Sequence, residues 1–284
     1  MRAAPLVLLA LIAPTAPADE PVALKWSLKD GDTFYATTRV TQTHTVEAGG
    51  KRSETTLTFD LTLRYRVTSA KPSESTVEVT YLAARIRAAG QSDLDGVGEK
   101  IRGSSVTIRL DENHSFAGIR GQDEILKKFR SASEVERETA AALFGGGGIR
   151  ELVGRPFDIL PAKAMRVGEL LARDDRSGVG GLSSTGKTTT KLAGLADGIA
   201  TVTVRSDMTI KAADGAADAK IDLKSERAEG GFTFDTRTGR VKDFSHETVI
   251  GGTIGDIADK GTVIKLTVRQ KQTVTVSDAN PVRD

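Results

Sequence analysis

The sequence contains no cysteine. This excludes a disulfide framework, a thiolate metal site and a lipid-attachment cysteine at a signal-peptide cleavage site. Its three histidines, His44, His114 and His246, are far apart in the chain. Zinc sites usually combine several nitrogen or sulfur ligands, so these histidines do not predict one. We therefore predict no metal and no other cofactor.

The chain also lacks an excess of charge and a second long apolar run. Lys plus Arg number 40 against 38 Asp plus Glu, for a net charge of +2. A nucleic-acid-binding protein usually carries a basic surplus, so the balance argues against a nucleic-acid partner. After the N-terminus no apolar stretch approaches the roughly 20 residues that a membrane helix needs. We expect no transmembrane segment in residues 19–284, which follow the N-terminal apolar run.

The first 18 residues have the pattern of a secretory signal peptide. Arg2 precedes a short apolar run from Ala3 to Ala13, and Ala16-Pro17-Ala18 provides a small-x-small cleavage site. We predict cleavage after Ala18, with residues 19–284 forming a single β-rich domain. The expected location is periplasmic or extracellular. A retained interfacial anchor is the alternative.

The residues from Leu57 to Val67 alternate between apolar and polar side chains. Leu57, Phe59 and Leu61 begin one parity, and Thr58, Asp60 and Thr62 begin the other. Successive side chains of a strand point to opposite faces, so this pattern predicts a strand with one dry face. The same period recurs in several later segments. We therefore predict a mainly β fold with a large, curved antiparallel sheet, a half-barrel.

One region departs from the alternation of strands. Between Gln122 and Phe144 the apolar residues follow a helical spacing, and the glycines 145–148 are expected to end the helix. The interpretation is one amphipathic helix on the concave face of the sheet, between halves of about 19–120 and 160–284. We interpret these halves as two β-meanders of similar design, a pseudo-repeat. The glycine-rich residues 90–103 are expected to form a loop.

The segment Gly181–Thr188 matches the phosphate-binding pattern G-x-x-x-x-G-K-[ST]. That mechanism requires a buried strand before the loop and a helix after it, and the flanking residues predict neither. We interpret the match as a connection between strands. No strand-turn-helix serine motif is found either, so the sequence predicts a protein that is not an enzyme. Arginines on polar strand parities, such as Arg64 and Arg109, are interpreted as a solvated, salt-paired face.

Three segments carry a resemblance to a known group. They are the opening Trp26–Phe34, the residues Leu160–Lys163 that lead to Val167–Glu169, and the hairpin Phe232–Arg240. They resemble segments of exported, uncharacterised bacterial β-rich proteins whose half-barrel resembles that of periplasmic lipoprotein carriers, the lipoprotein-localisation factors. The resemblance implies an incomplete antiparallel sheet that cups a helix and takes acyl chains in its concavity.

The resulting hypothesis is a non-enzymatic exported protein that binds a hydrophobic, lipid-like ligand or a lipoprotein in the concavity of the sheet. The residues predicted to line the site are Leu57, Phe59, Leu61, Leu63, Tyr65, Phe232 and Phe234. The alternative is a structural module of the cell envelope with a filled core and a protein partner. An apolar cavity of several hundred Å³ would favour the first hypothesis, since small-molecule pockets typically measure about 300–1,000 Å³.

Overall fold

The computed structural model describes residues 20–88, 94–179, 182–212, 219–256 and 263–282. In these ranges the chain forms an antiparallel sheet of eleven strands. The strands are β1 (Thr33–Ala48), β2 (Lys51–Lys71), β3 (Glu74–Ala88), β4 (Ser105–Asp111), β5 (Phe116–Arg120), β6 (Leu170–Val179), β7 (Leu182–Ala196), β8 (Ile199–Ala212), β9 (Ala219–Asp235), β10 (Arg240–Asp256) and β11 (Val263–Ser277).

The strands are arranged as two meanders that share one sheet. Their order is β5-β4-β3-β2-β1-β11-β10-β9-β8-β7-β6, so strands that follow one another in the chain pair, except β5 and β6, and β1 pairs with β11 in the middle. We call β1–β5 the N-terminal half and β6–β11 the C-terminal half. Strands β5 and β6 form opposite edges, and the curved sheet is not closed into a barrel. The predicted mainly β, open architecture is confirmed.

The alternating segment Leu57–Val67 lies inside β2 as predicted. Leu61, Leu63 and Tyr65 are buried on one face, which we call the concave face. The preceding hairpin turns at Gly49 and Gly50, whose φ angles of 55° and 74° are accessible to glycine at little cost. These two glycines form the tight turn that joins β1 to β2.

The helical region between the halves is longer and more broken than the predicted single helix over 122–144. It contains α2 (Gln122–Lys127), α3 (Glu134–Phe144), α4 (Gly146–Ile149), a π-helical turn (Arg150–Gly154) and α5 (Arg155–Asp158). We call residues 122–158 the helical segment. Ser133 caps α3 by accepting from the backbone N–H of Glu136, and the Glu136 side chain accepts from the backbone of Ser133. This capping box starts a second helix, because it satisfies two backbone donors that a helix N-terminus leaves free.

Two further sequence expectations are corrected in the same part of the fold. The glycines after Phe144 end α3 but do not end the helical segment, which resumes at Gly146. Residues 95–101, expected to loop out, form the helix α1 (Asp95–Ile101). Val97 and Ile101 of this helix are fully buried, and a Cβ at Gly98 would lie 2.3 Å from the carbonyl oxygen of Ala84. The apolar face and the close approach of glycine to β3 explain why this stretch packs as a helix.

The hydrophobic core lies mainly between the N-terminal half and the helical segment. Its aromatic centre joins Trp26, Phe34, Tyr65 and Phe157, with ring centres 4.8–5.2 Å apart for the three closest pairs. The indole N–H of Trp26 donates to the carbonyl oxygen of Pro156 over 3.1 Å. Stacked and tilted rings at these distances add to the stability gained by burial alone. The helical segment therefore closes one half of the concavity.

Candidate functional site

A cavity of about 700 Å³ lies over the concave face of the C-terminal half. Strands β6–β11, together with Gln42 of β1, form its floor, and residues from Glu151 to Lys163 form the opposite wall. The volume falls within the range of about 300–1,000 Å³ that is typical of small-molecule sites. This cavity is the candidate functional site.

The floor combines polar and aliphatic side chains. Six of its polar members form a band across the sheet, which we call the polar band. The polar band consists of Gln42, Thr188, Ser206, His246, Thr248 and Gln270. Aliphatic members of the floor, Val204, Met208, Ile250 and Val268, lie half-buried beside it. A floor of this composition can contact apolar and polar parts of one ligand at the same time.

The wall is held in place by contacts to the N-terminal half. The Tyr65 hydroxyl donates to the carbonyl oxygen of Val153 over 3.2 Å. Asp158 accepts from the Nε and Nη2 of Arg150 at 3.0 and 2.9 Å, and from the backbone N–H of Phe116 at 3.0 Å. These bonds fix both ends of the π-helical turn and α5. The cavity wall is thus attached to the packed core by hydrogen bonds to β2 and β5.

Arg155, Phe244 and His246 form a column at the wall end of the cavity. The guanidinium carbon of Arg155 lies 5.4 Å from the centre of the Phe244 ring, a cation–π distance. The Phe244 and His246 rings stack with centres 6.1 Å apart, and His246 Nδ1 lies 3.1 Å from Thr248 Oγ1. Burial, together with the positive charge of Arg155, lowers the pKa of His246 to about 4. His246 is therefore neutral at neutral pH, and the positive charge of this column belongs to Arg155.

The seven residues predicted to line the site lie elsewhere on the concave face. Phe59, Leu61, Leu63, Tyr65, Phe232 and Phe234 are buried in the core, and Leu57 is half-buried against it. None of the seven lines the cavity. The helical segment packs against this core, so these apolar side chains are already covered by protein. Their role in ligand contact stays a prediction, and the candidate site is built from other residues.

Sequence reasoning missed the polar band. These residues lie at positions of their strands that face the concave side, where we expected an apolar face. Thr248, for example, lies opposite Gln270 in the β10–β11 ladder. The sequence did contain a signal for the polar band. Within the same strands, some positions of the concave-facing parity carry polar side chains and the others carry apolar ones. On the concave face of β10, for example, the side chains change from the aromatic Phe244, through the polar His246 and Thr248, to the aliphatic Ile250.

The segment that matches the phosphate-binding pattern is a strand. Gly181 lies outside the described residues, but Leu182–Thr188 belongs to β7 and pairs antiparallel with both β6 and β8. A phosphate-binding loop needs its glycines wrapped around a helix N-terminus. The segment is extended instead, so the predicted rejection of a nucleotide site is supported. We predicted that this segment connects two strands, and the structure shows that it is itself part of strand β7.

Two arginines of the convex face, Arg64 and Arg109, are paired with carboxylates. Arg64 lies 3.8 Å from Glu78, and Arg109 lies 3.3 Å from Glu74. Ion pairs of this exposed kind contribute little to stability. Within the residues that the structure describes, no group of three His, Asp or Glu side chains is placed to hold a metal ion. In the same residues, no helix is long and apolar enough to cross a membrane.

Comparisons with known proteins show weak similarity. No family model and no curated protein matches the sequence. A chain from a structure of lipid–protein interactions in lipovitellin aligns with a TM-score of 0.47 and 11% identity over 91% of this chain, which spans 26% of that chain. DynF from the dynemicin biosynthesis pathway of Micromonospora chersina gives a TM-score of 0.20 and 9% identity, covering 94% of this chain and 92% of that one.

A third solved structure is a DUF1329 family protein from Desulfovibrio piger, with a TM-score of 0.12 and 9% identity over 87% of this chain and 84% of that chain. All three TM-scores are below 0.5, so none of these likenesses assigns a ligand or an activity to the chain. The resemblance to lipoprotein carriers stays a prediction.

Proposed function

We propose that this protein is an exported, non-enzymatic protein that binds a hydrophobic or amphipathic, lipid-like ligand in the cavity of the C-terminal half. The observation that carries the proposal is the cavity itself, about 700 Å³ between the concave face and residues 151–163. Export rests on the signal-peptide pattern of residues 1–18.

The two halves of the sheet differ in how their concave faces are covered. In the N-terminal half the helical segment packs on the sheet, and Leu63, Tyr65 and Ile108 have no exposed surface. In the C-terminal half, Met208, Ile250 and Val268 point to the same side of the sheet but remain half-buried. Leaving aliphatic surface in contact with water costs roughly 25 cal/mol per Å², which a bound apolar ligand would recover.

A structural module with a filled core is the second candidate function. The packed N-terminal half fits that description, because its concave face is closed by aromatic and aliphatic side chains. The open C-terminal half does not need a cavity of this size for folding, since protein interiors normally pack without such voids. The cavity therefore favours ligand binding over the structural role.

The proposal is tested by extracting the purified protein with organic solvent and analysing the extract by mass spectrometry. We expect lipid in a ratio approaching one molecule per chain. The cavity-filling variant Val268→Trp should retain much less lipid, whereas Thr267→Trp, on the opposite face of the same strand, should retain as much as the wild type. Lipid-free extracts from all three proteins, or equal lipid in all three, would contradict the proposal.

A further inference from the structure

A row of aliphatic side chains continues the concave face beyond the cavity, toward the ends of the strands farthest from the helical segment. We call it the aliphatic strip. It consists of Val46, Ile210, Leu223, Ile254, Ile264 and Leu266. Val46 lies directly opposite Leu266, and Ile254 lies directly opposite Ile264. The strip therefore crosses five adjacent strands, β1, β11, β10, β9 and β8, as one surface.

Most of the aliphatic strip is only half-buried. Of its six members Leu223 alone is buried, and the other five are of intermediate exposure. An aliphatic surface that extends over five strands is larger than the isolated apolar side chains that are normal on protein surfaces. A ligand that covered this surface would gain free energy by removing it from water.

The aliphatic strip is continuous with the cavity. Ile250 of β10 and Val268 of β11 line the cavity and face each other in the ladder. The next residue pair on the same face is Gly252 with Leu266. Gly252 also lies opposite Leu223, so a position without a side chain lies between two leucines. Gly252 thus leaves a gap in the row of side chains between Leu223 and Leu266, next to the cavity, and we call this gap the furrow.

Glycine is required at the centre of this furrow. The φ angle of Gly252 is 155°, and a Cβ there would lie 2.1 Å from the carbonyl oxygen of Asp222. Any side chain would therefore force the β9–β10 ladder apart, since real Cβ atoms do not approach a carbonyl oxygen so closely. The furrow is a consequence of strand packing.

The other end of the cavity is polar. Arg155 Nη1 donates to Glu151 Oε2 over 3.2 Å, whereas the Arg155 Nε is shielded from solvent and has no hydrogen-bond partner among the described residues. A shielded donor without a partner costs free energy until an acceptor reaches it. Lys163 also lines the cavity and is exposed. An oxygen-rich head group would satisfy these donors together with Thr248 and Gln270 of the polar band.

The length of the aliphatic surface matches one acyl chain. From Ile250 to Ile254 the strand advances four residues, or about 13 Å at roughly 3.3 Å per residue. One leaflet of a bilayer has about 15 Å of hydrocarbon, half of a core of about 30 Å. A chain of the kind found in membrane lipids would therefore extend from the cavity along the furrow to the end of the sheet.

From these observations we infer that the ligand is a long-chain aliphatic amphiphile, bound in one orientation. Its head group lies at the polar band beneath Arg155, and its chain runs along the furrow at Gly252 over the aliphatic strip. This inference rests on the proposed function and adds the class and the direction of the ligand.

Tryptophan quenching by brominated fatty acids tests the direction. The two probes are a fatty acid brominated next to its carboxyl group and one brominated at its methyl end. Ile254→Trp places an indole at the strip and Thr248→Trp places one at the polar band. Each variant is compared at a probe concentration that saturates that variant, and Gln270→Trp replaces Thr248→Trp if that variant does not fold or does not bind. Trp26, the one natural tryptophan, is buried in the N-terminal half and provides an internal reference. Val249→Trp, on the convex face, is the matched control.

We expect the methyl-end bromine to quench Ile254→Trp at least twice as strongly as Thr248→Trp, and the carboxyl-end bromine to show the reverse order. Val249→Trp and Trp26 should be quenched by neither probe.

Equal or reversed quenching of the two concave variants would overturn the orientation while leaving ligand binding intact. Quenching of neither variant would overturn binding as well. If Ile254→Trp instead changes the oligomeric state by size-exclusion chromatography without affecting quenching at Thr248→Trp, a second copy of the chain covers the strip and the inference is wrong.

Discussion

The hydroxyl of Tyr65 donates a hydrogen bond of 3.2 Å to the backbone carbonyl of Val153. The Tyr65 ring stacks on Phe34 with centres 4.8 Å apart and planes 2° from parallel. One side chain of β2 therefore holds the π-helical turn that leads into the cavity wall. Tyr65, which the sequence suggested as a ligand contact, serves here to position the wall.

Removing this hydroxyl should destabilise the protein. We expect Tyr65→Phe to lower the free energy of unfolding in urea by about 1 kcal/mol, the net value of a buried hydrogen bond. Tyr81→Phe is the matched control, because the Tyr81 hydroxyl is buried without a hydrogen-bond partner among the described residues. That change should be neutral or slightly stabilising. Equal losses in the two variants would show that the Tyr65–Val153 bond does not support the fold.

His246 should make stability depend on pH in a defined window. Its pKa is about 4 in the folded protein against an ordinary value of 6.5, chiefly because it is buried. Between these values the unfolded chain binds a proton that the folded chain does not, so the free energy of unfolding falls as the pH falls from 6.5 toward 4. His246→Gln should make this decline shallower in urea unfolding measured across the window. A decline of unchanged slope would contradict the assignment.

His114 and His44 also have pKa values lowered by burial, so part of the decline will remain in the His246 variant. Proton NMR separates the three side chains. The imidazole resonance that disappears in His246→Gln should keep its neutral chemical shift from about pH 7 down to about pH 5, well above the folded pKa. A midpoint near pH 6.5 would mean that solvent reaches His246 freely.

The sheet was more accessible to sequence reasoning than the site. Alternation over Leu57–Val67 identified β2 and its buried parity, because strand geometry translates directly into a period of two residues. The helical region was placed, but the break before Ser133 and the continuation after Gly145 depend on capping and packing. Helical periodicity alone does not report these features.

The cavity could not be predicted from the periodicity of apolar residues, for a different reason. Its wall, residues 151–163, has no periodic signal, and its position is set by long-range bonds such as those of Tyr65 and Trp26. Apolar residues on a concave parity predict burial but not whether a helix or a ligand covers them. Phe59 and Ile250 both satisfy the pattern, yet Phe59 is buried in the core and Ile250 lines the cavity.

The signal-peptide pattern of residues 1–18 predicts where the exported chain begins. When the chain is expressed with residues 1–18 present, we predict that the exported form begins at Asp19, and intact mass spectrometry checks this. Leu9→Arg interrupts the apolar run and should block export, whereas Ala3→Arg adds charge to the basic start and should be exported normally. An exported chain that retains residues 1–18 would contradict the predicted cleavage.

Binding of a fatty acid to three forms of the protein tests the central claim most directly. In calorimetric titrations with oleic acid, the wild type and Val249→Trp should bind with the same affinity. Ile250→Trp, which fills the cavity from the neighbouring position in β10, should lose at least about tenfold, equivalent to roughly 1.4 kcal/mol. Equal affinity in all three proteins, or no binding by the wild type, would contradict the assignment of the cavity as the ligand site.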